Sequence, residues 1–240
     1  MDTTGYVSLS RQVGLAQEMQ AIANNIANMA TAGYRAEGVV FSEYVRQLEA
    51  EGGSVAFTRP GARVTSDIQG ALKQTGGTFD LAIDGPGYFT VDTGDGIALT
   101  RAGGFSRNAV GELVSTVGDR LLDIGGAPIF VPPDARAVSI AGDGTLTADG
   151  LPIAQVGRVI PEEGAVLTRT DGVKFRTDAP LAPAEEGTIV QGFLEEANVN
   201  PVAELARMIE VQRAYEAGQR LMDREDERMR QVLRTATARS

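Results

Sequence analysis

A chain with neither histidine nor cysteine has few routes to covalent chemistry, and these 240 residues contain neither. Histidine is the commonest general base and metal ligand, and cysteine the strongest thiol nucleophile. Ser-His-Asp and Cys-His machinery are therefore excluded, as are disulfide frameworks and thiolate metal sites. Carboxylates, lysine and tyrosine remain. Asp80 and Asp84 bracket a short apolar run and invite comparison with the paired acid and base of a glycosidase. They lie at the two ends of that run, close to glycines, where turn residues belong. Asp92-x-x-Asp95-Gly96 is a fragment of a calcium loop without the later ligands or the closing glutamate. An Asp-Gly pair between alternating apolar residues is better read as a hairpin turn. Gly85-x-Gly87 is too short for a dinucleotide fingerprint, and no helix follows it. Glu162-Glu163 and Glu185-Glu186 read as solvated loop charges. The expectation is a protein that is not an enzyme, with no cofactor and no metal.

Composition narrows the partners. Formal net charge is −10, which disfavours phosphate backbones and anionic lipid, so no nucleic acid is expected. Lys73 and Lys174 are the only lysines and all other cationic charge is arginine. Arginine suits packed interfaces because its guanidinium bonds bidentately and stacks. No stretch approaches the length of a membrane span, so no membrane insertion is expected. Asp2, Arg11 and Glu18 interrupt the first twenty residues, with no apolar core of a secretory signal behind them.

Positioning falls to three zones. From Ser8 to Met29 there is no proline and one glycine, Gly14. Leu15, Met19, Ile22, Ile26 and Met29 recur at spacings of four and three, one narrow apolar seam. This predicts an N-terminal helix stopping near Thr31-Ala32-Gly33, with Gly33 at a left-handed C′ position. Asn200 suits a helix N-cap and Pro201 the first helical position. From Val202 to about Thr235 a second helix is predicted. Val202, Leu205 and Ile209 start one seam on it, and Met208, Val211, Tyr215, Met222, Met229 and Val232 form another. Pairing the helices buries one seam on each. The spare seam has two possible covers, neighbouring subunits or the middle of the chain, and periodicity does not choose between them.

That middle is rich in glycine: of the 29 glycines, only Gly5, Gly14, Gly33, Gly38 and Gly218 fall outside residues 52–192. Leu81/Ile83, Phe89/Val91 and Ile97/Leu99 alternate with period two, and Asp84-Gly85-Pro86-Gly87 and Gly94-Asp95-Gly96 punctuate them. Short strands between tight turns predict an antiparallel β domain. The division expected is residues 1–35 as an N-terminal helical segment, 36–78 as an extended linker or hairpin region, 79–193 as the β-rich domain and 194–240 as a C-terminal helical segment. The fold class expected is α+β, long terminal helices paired as a coiled coil with a central antiparallel β-rich domain.

Asn24, Asn25 and Asn28 stand apart. Three asparagines in five helical positions weaken a helix. They read either as a fraying end or as amides that hydrogen-bond across helices and fix register.

The same residues carry a resemblance. Ala23-Asn24-Asn25-Ile26-Ala27-Asn28, followed by Thr31-Ala32-Gly33-Tyr34-Arg35, is similar to the N-terminal signature of the flagellar basal-body rod protein family, the rod and hook axial proteins. Asp80-Leu81-Ala82-Ile83-Asp84-Gly85-Pro86-Gly87-Tyr88-Phe89 resembles that family's first core strand and turn, and Leu99-Thr100-Arg101-Ala102-Gly103-Gly104-Phe105 the next segment. Gln191-Gly192-Phe193-Leu194-Glu195 leads into Asn198-Val199-Asn200-Pro201-Val202. Met208-Ile209-Glu210-Val211-Gln212-Arg213-Ala214-Tyr215-Glu216 is similar to the family's C-terminal helix. Met1-Asp2, Tyr6 and Leu9-Ser10-Arg11-Gln12 are most like the proximal-rod members.

The resemblance implies a structural subunit that polymerises helically around an export channel, its terminal helices joined as a coiled coil. It implies copies of itself and other rod proteins as partners. It also implies the flagellar type III export apparatus during secretion without a cleaved signal, and a place in the periplasmic rod of the basal body. Subunit contacts are expected at Leu15, Met19, Ile22, Asn24, Asn25, Ile26, Asn28 and Met29 and at Val202, Leu205, Met208, Ile209, Val211, Gln212, Arg213 and Tyr215, and structural turns at Gly33, Asp84, Gly85, Gly87, Gly103, Asn200 and Pro201. Two alternatives stand beside it: a distal rod subunit of the same family, and a periplasmic or surface glycan-binding β-domain. The run Asp223-Arg224-Glu225-Asp226-Glu227-Arg228 departs from the more neutral family endings.

Overall fold

A helix that loses few backbone donors to proline and spends little backbone entropy on glycine can run long, and both ends of this chain do so. In a computed structural model, whose described residues are 3–47 and 54–237, helix α1 spans Thr3–Ala27 and helix α2 spans Pro201–Thr237. At 1.5 Å per residue α2 is about 55 Å long. The chain divides into two units: unit 1 is residues 1–27, 37–66 and 200–240, and unit 2 is residues 28–36 and 67–199.

Unit 1 adds a hairpin to the helices, strand β1 (Glu37–Gln47) antiparallel to β2 (Ser54–Thr65). The register shifts between Val39 and Phe41, where the partner strand carries Pro60-Gly61. Proline cannot donate to a ladder, and a bulge is where a strand tolerates it. Helix α1 packs against α2 and against both strands of the hairpin. The helices are antiparallel: Gln12 bonds the carbonyl of Tyr215, while Glu18, further along α1, pairs with Arg207, earlier on α2.

This arrangement overturns the coiled-coil expectation. Only two helices occur among the described residues, and they do not form a coiled-coil seam. The buried positions of α1 are Gln12, Gly14, Ala21, Ile22 and Asn25. They spread over a broad, partly polar face because α1 is shared between α2 and the hairpin. An a/d stripe has a single partner. A linker or hairpin is expected over residues 36–78, but the weak period there does not show that it packs on the helix surface. The helix also stops earlier than Thr31-Ala32-Gly33, at Ala27, because the Asn28 carbonyl accepts from the Thr31 N–H at 3.0 Å and turns the chain.

Unit 2 is a set of short antiparallel strands. They are β3 (Leu72–Gln74), β4 (Leu81–Asp84), β5 (Tyr88–Asp92), β6 (Ile97–Thr100), β7 (Phe105–Arg107), β8 (Leu113–Ser115), β9 (Arg120–Leu121) and β10 (Val138–Ile140). Then come β11 (Thr145–Ala148), β12 (Leu151–Gln155), β13 (Arg158–Pro161), β14 (Thr168–Asp171), β15 (Lys174–Arg176), β16 (Leu181–Pro183), β17 (Thr188–Gln191) and β18 (Phe193–Glu195). The main sheet runs β14-β15-β6-β5-β9-β8-β7, with β13 joining β5 to β16. Strands β10-β11-β12 form a second sheet, and β4 pairs with β17 and β3 with β18.

Strand β5 is buried on both faces from Tyr88 to Val91. Phe89 and Val91 enter a core with Leu81, Ile83, Phe105, Leu113, Leu121 and Ile189. Tyr88 points the other way, against Leu99 and Phe175. Aromatic edges meet faces in both layers, Phe89 on Phe105 at 5.7 Å and Tyr88 on Phe175 at 6.0 Å. Close backbone contact explains one glycine here: a Cβ on Gly103 would lie 1.6 Å from the Leu81 carbonyl oxygen.

Candidate assembly surface

Asn200 starts α2 by accepting from the N–H groups of Val202 and Ala203, each at 3.1 Å, with Pro201 at the first helical position and Glu204 in the first turn. These satisfy orphan donors and complement the helix dipole. Val211 is buried and Met208, Tyr215 and Met222 are half-buried. This is the face towards α1, where Gln12 Nε2 donates to the Tyr215 carbonyl at 2.9 Å. Gly218 admits that side chain, since a Cβ there would come within 2.1 Å of Gln12 Nε2. At the other end Arg207 reaches Glu18 through both Nε (2.9 Å) and Nη2 (2.8 Å).

The opposite face is open. Val202 is 77%, Leu205 53% and Ile209 52% exposed, in successive turns of one stripe. Gln212 and Arg213 continue it and are exposed, Gln212 bonding Glu216 at 3.2 Å. Beyond Glu225 every side chain whose burial is described is exposed. There the charged run pairs with itself, Arg228 with Glu225 and Arg230 with Asp226 at 2.7 Å each. Met229 is half exposed, and the Val232 side chain lies outside the described residues. On α1, Ile22 is buried and Leu15, Met19 and Ile26 are half-buried, while Met29 falls past the helix end and is exposed.

The asparagines divide their work. Asn25, buried, acts as a strand edge would: its Nδ2 donates to the Glu37 carbonyl at 2.9 Å and its Oδ1 accepts from the Glu37 N–H at 2.8 Å. Asn24 bonds the Glu37 carboxylate at 3.3 Å. Both hold the first residue of β1. Asn28 belongs to unit 2, where its Oδ1 accepts from the Thr31 hydroxyl.

Of the expected turn residues, Asp84 ends β4, and Gly85 and Gly87 follow at φ of +108° and +111°. Gly33, at φ +70°, gives its N–H to the Glu195 carbonyl at 2.7 Å. A Cβ there would be 2.2 Å from the Ala102 nitrogen. The carboxylates considered for chemistry are engaged separately. Asp80 accepts from the Thr75 hydroxyl, Asp84 is exposed, and Asp92 is bound by the Gly94 N–H and by Arg120. The Gly94 backbone bond, then Arg120, holds the Asp92 carboxyl below its ordinary range.

A buried charge cluster in unit 2 was not singled out in sequence. Glu195 Oε1 meets Arg35 Nη2 and its Oε2 meets Arg101 Nη1, both at 3.1 Å, with all three side chains no more than 4% exposed. Arg35 also donates to the Asp67 and Ile68 carbonyls, and Arg101 to those of Ile83 and Gly85. Arg101 lies over the Tyr88 ring at 5.5 Å. Burial pulls the Arg101 guanidinium down and pushes the Tyr88 phenol up from their ordinary ranges. Arg169 stacks on Tyr34 and Phe175 at 4.7 Å each and donates to the Arg35 carbonyl at 2.6 Å.

The comparisons with known proteins decide the family. A model described as the flagellar basal body rod FlgEFG protein C-terminal matches residues 190–235, and one described as the flagellar hook protein FlgE/F/G D1 domain matches residues 82–148. The chain is 40% identical to the flagellar basal-body rod protein FlgF of Mesorhizobium japonicum, over 92% of each chain. It is 36% identical to FlgF of Caulobacter vibrioides over 93% of each. It is 33% identical to FlgG of Bacillus subtilis over 95% of this chain and 97% of that one. The chain belongs to the flagellar basal-body rod protein family. It is a structural subunit of the rod, more similar to these FlgF proteins than to this FlgG. In the rod subunit both family models fall on described structure: the first covers β18 and most of α2, the second β4 through β11.

Proposed function

We propose that this rod subunit is built helically into the proximal part of the drive shaft, around the export channel, through the exposed face of α2. The observation that carries the reading is the stripe Val202, Leu205 and Ile209, three large aliphatic side chains left in water on a capped, well-formed helix. Burying the part of this stripe still in water contributes about 1–2 kcal/mol per side chain. Identical copies docking head to tail make an open, helical contact. Copies of the chain and other axial proteins of the rod are its partners, with Gln212 and Arg213 among the contacts, while Gly33, Asp84, Gly85, Gly87, Gly103, Asn200 and Pro201 shape turns. In this reading residues 1–35 and 194–240 are the assembly segments, 36–78 connects them to the remainder, and 79–193 is the β-rich body. The subunit has no catalytic role. It leaves the cytoplasm through the flagellar type III apparatus, and the lack of cysteine suits a chain threaded unfolded towards an oxidising compartment.

Leu205→Asp and Ile209→Asp test this. Both positions are solvent-facing in the free subunit, so circular dichroism and melting stay close to wild type. Incorporation into purified basal bodies is lost. Normal incorporation of both variants would remove the stripe from the assembly surface.

A further inference from the structure

We propose that Arg35, Arg101 and Glu195 form a tie that fastens together the stretches of chain joining unit 2 to unit 1, with Glu195 as its central member. The chain passes between the units four times, after residues 27, 36, 66 and 199. Next to these passages, within unit 2, lie the stretches 28–36, 67–71 and 193–199. Each of the three is bonded to both others. Arg35, on the first, donates to the Asp67 and Ile68 carbonyls on the second and to Glu195 on the third. Glu195 Oε1 accepts from the Gly70 N–H at 3.0 Å, and its carbonyl from the Gly33 N–H at 2.7 Å. Asn198 repeats the pattern, accepting from the Ala36 N–H and donating to the Ile68 carbonyl at 2.6 Å each. Arg101 anchors the knot to the sheet through the carbonyls of Ile83 and Gly85.

The residues come from separate motifs of the sequence, Thr31 to Arg35, Leu99 to Phe105, Asp80 to Phe89 and Gln191 to Glu195. Their meeting point is one knot. Its charges are unequal: two guanidinium groups share one carboxylate, all nearly without solvent. Removing one arginine leaves a neutral pair. Removing the glutamate leaves two buried cations and no counter-charge, the costliest way to break a buried ion pair. The consequence rests on the chain being a rod subunit. Under load the bonds among the three stretches hold them together within unit 2, so no stretch peels away alone.

The experiment compares Glu195→Gln and Arg35→Met in the full chain by amide hydrogen exchange. Exchange in Glu195→Gln rises about tenfold or more at Gly33, Ala36 and Gly70, while Val91, Leu99 and Leu121 keep their protection. Arg35→Met gives a smaller rise, confined to residues 28–36 and 67–68. Cells carrying Glu195→Gln as the sole copy assemble rods and swim in dilute medium, and lose rotation in viscous medium. Exchange at the three amides within about twofold of wild type would overturn the tie. So would an Arg35→Met effect equal to or larger than that of Glu195→Gln, or exchange rising throughout the sheet. If Glu195→Gln does not fold, Arg35→Met decides by whether its effect stays local. Raised exchange with wild-type rotation in viscous medium would overturn the mechanical role, and rod incorporation in the same cells keeps that outcome separate from membership of the rod.

Discussion

Lys174 is one of two lysines, and it spends its charge inside unit 2. It contacts Asp119 at 2.8 Å and Asp171 at 3.4 Å. The hydrogen bond to Asp119 raises its affinity for a proton, partly opposed by burial. A lysine whose proton is held more tightly in the folded state stabilises that state fully below its unfolded pKa, near 10.4. The contribution is lost as pH rises through the higher folded value. Tyr88, whose ionisation burial opposes, acts in the same direction because the unfolded phenol ionises first. Urea midpoints of the subunit therefore fall from about pH 10 upward. Lys174→Met lowers the midpoint at neutral pH and flattens, without abolishing, the alkaline fall. An unchanged alkaline slope in that variant would show that the Asp119 pair does not survive in solution.

Elements were legible where local chemistry is strong. The absence of proline and the Asn200-Pro201 start place α2, and alternating pairs place β4, β5 and β6. Asn200→Ala removes an acceptor for two N–H groups and costs about 1 kcal/mol in chemical denaturation. An effect near zero would mean that water replaces the cap. Periodicity named two seams on α2 without saying which one turns inward. That choice depends on Gly218 admitting Gln12, a contact spanning some two hundred residues of sequence. Residues 36–78 read as either a linker or a hairpin because Pro60-Gly61 looks like a break, whereas a bulge absorbs it. Nothing local in the sequence places that hairpin against α1, and without it a coiled coil looks sufficient.

At the scale of the molecule, the Arg35–Glu195–Arg101 cluster was hidden for a different reason. Charges in sequence read as surface, and nothing local signals that residues 35 and 195 meet without solvent. The resemblance pointed to the right stretches of chain and the structure supplied what they do there. Subunit identity, by contrast, was readable in the motifs themselves, and the relatives over most of the chain establish it.

A chain without cysteine permits a direct test of the assembly surface. Single cysteines at Val202, Leu205 and Ile209 would be labelled with maleimide in the free subunit and again in purified rods. The stripe as an assembly contact predicts rapid labelling of the free subunit at all three positions and protection in the rod. Equal labelling in both states would contradict the account, because the face of α2 turned from α1 would then still be in water after assembly.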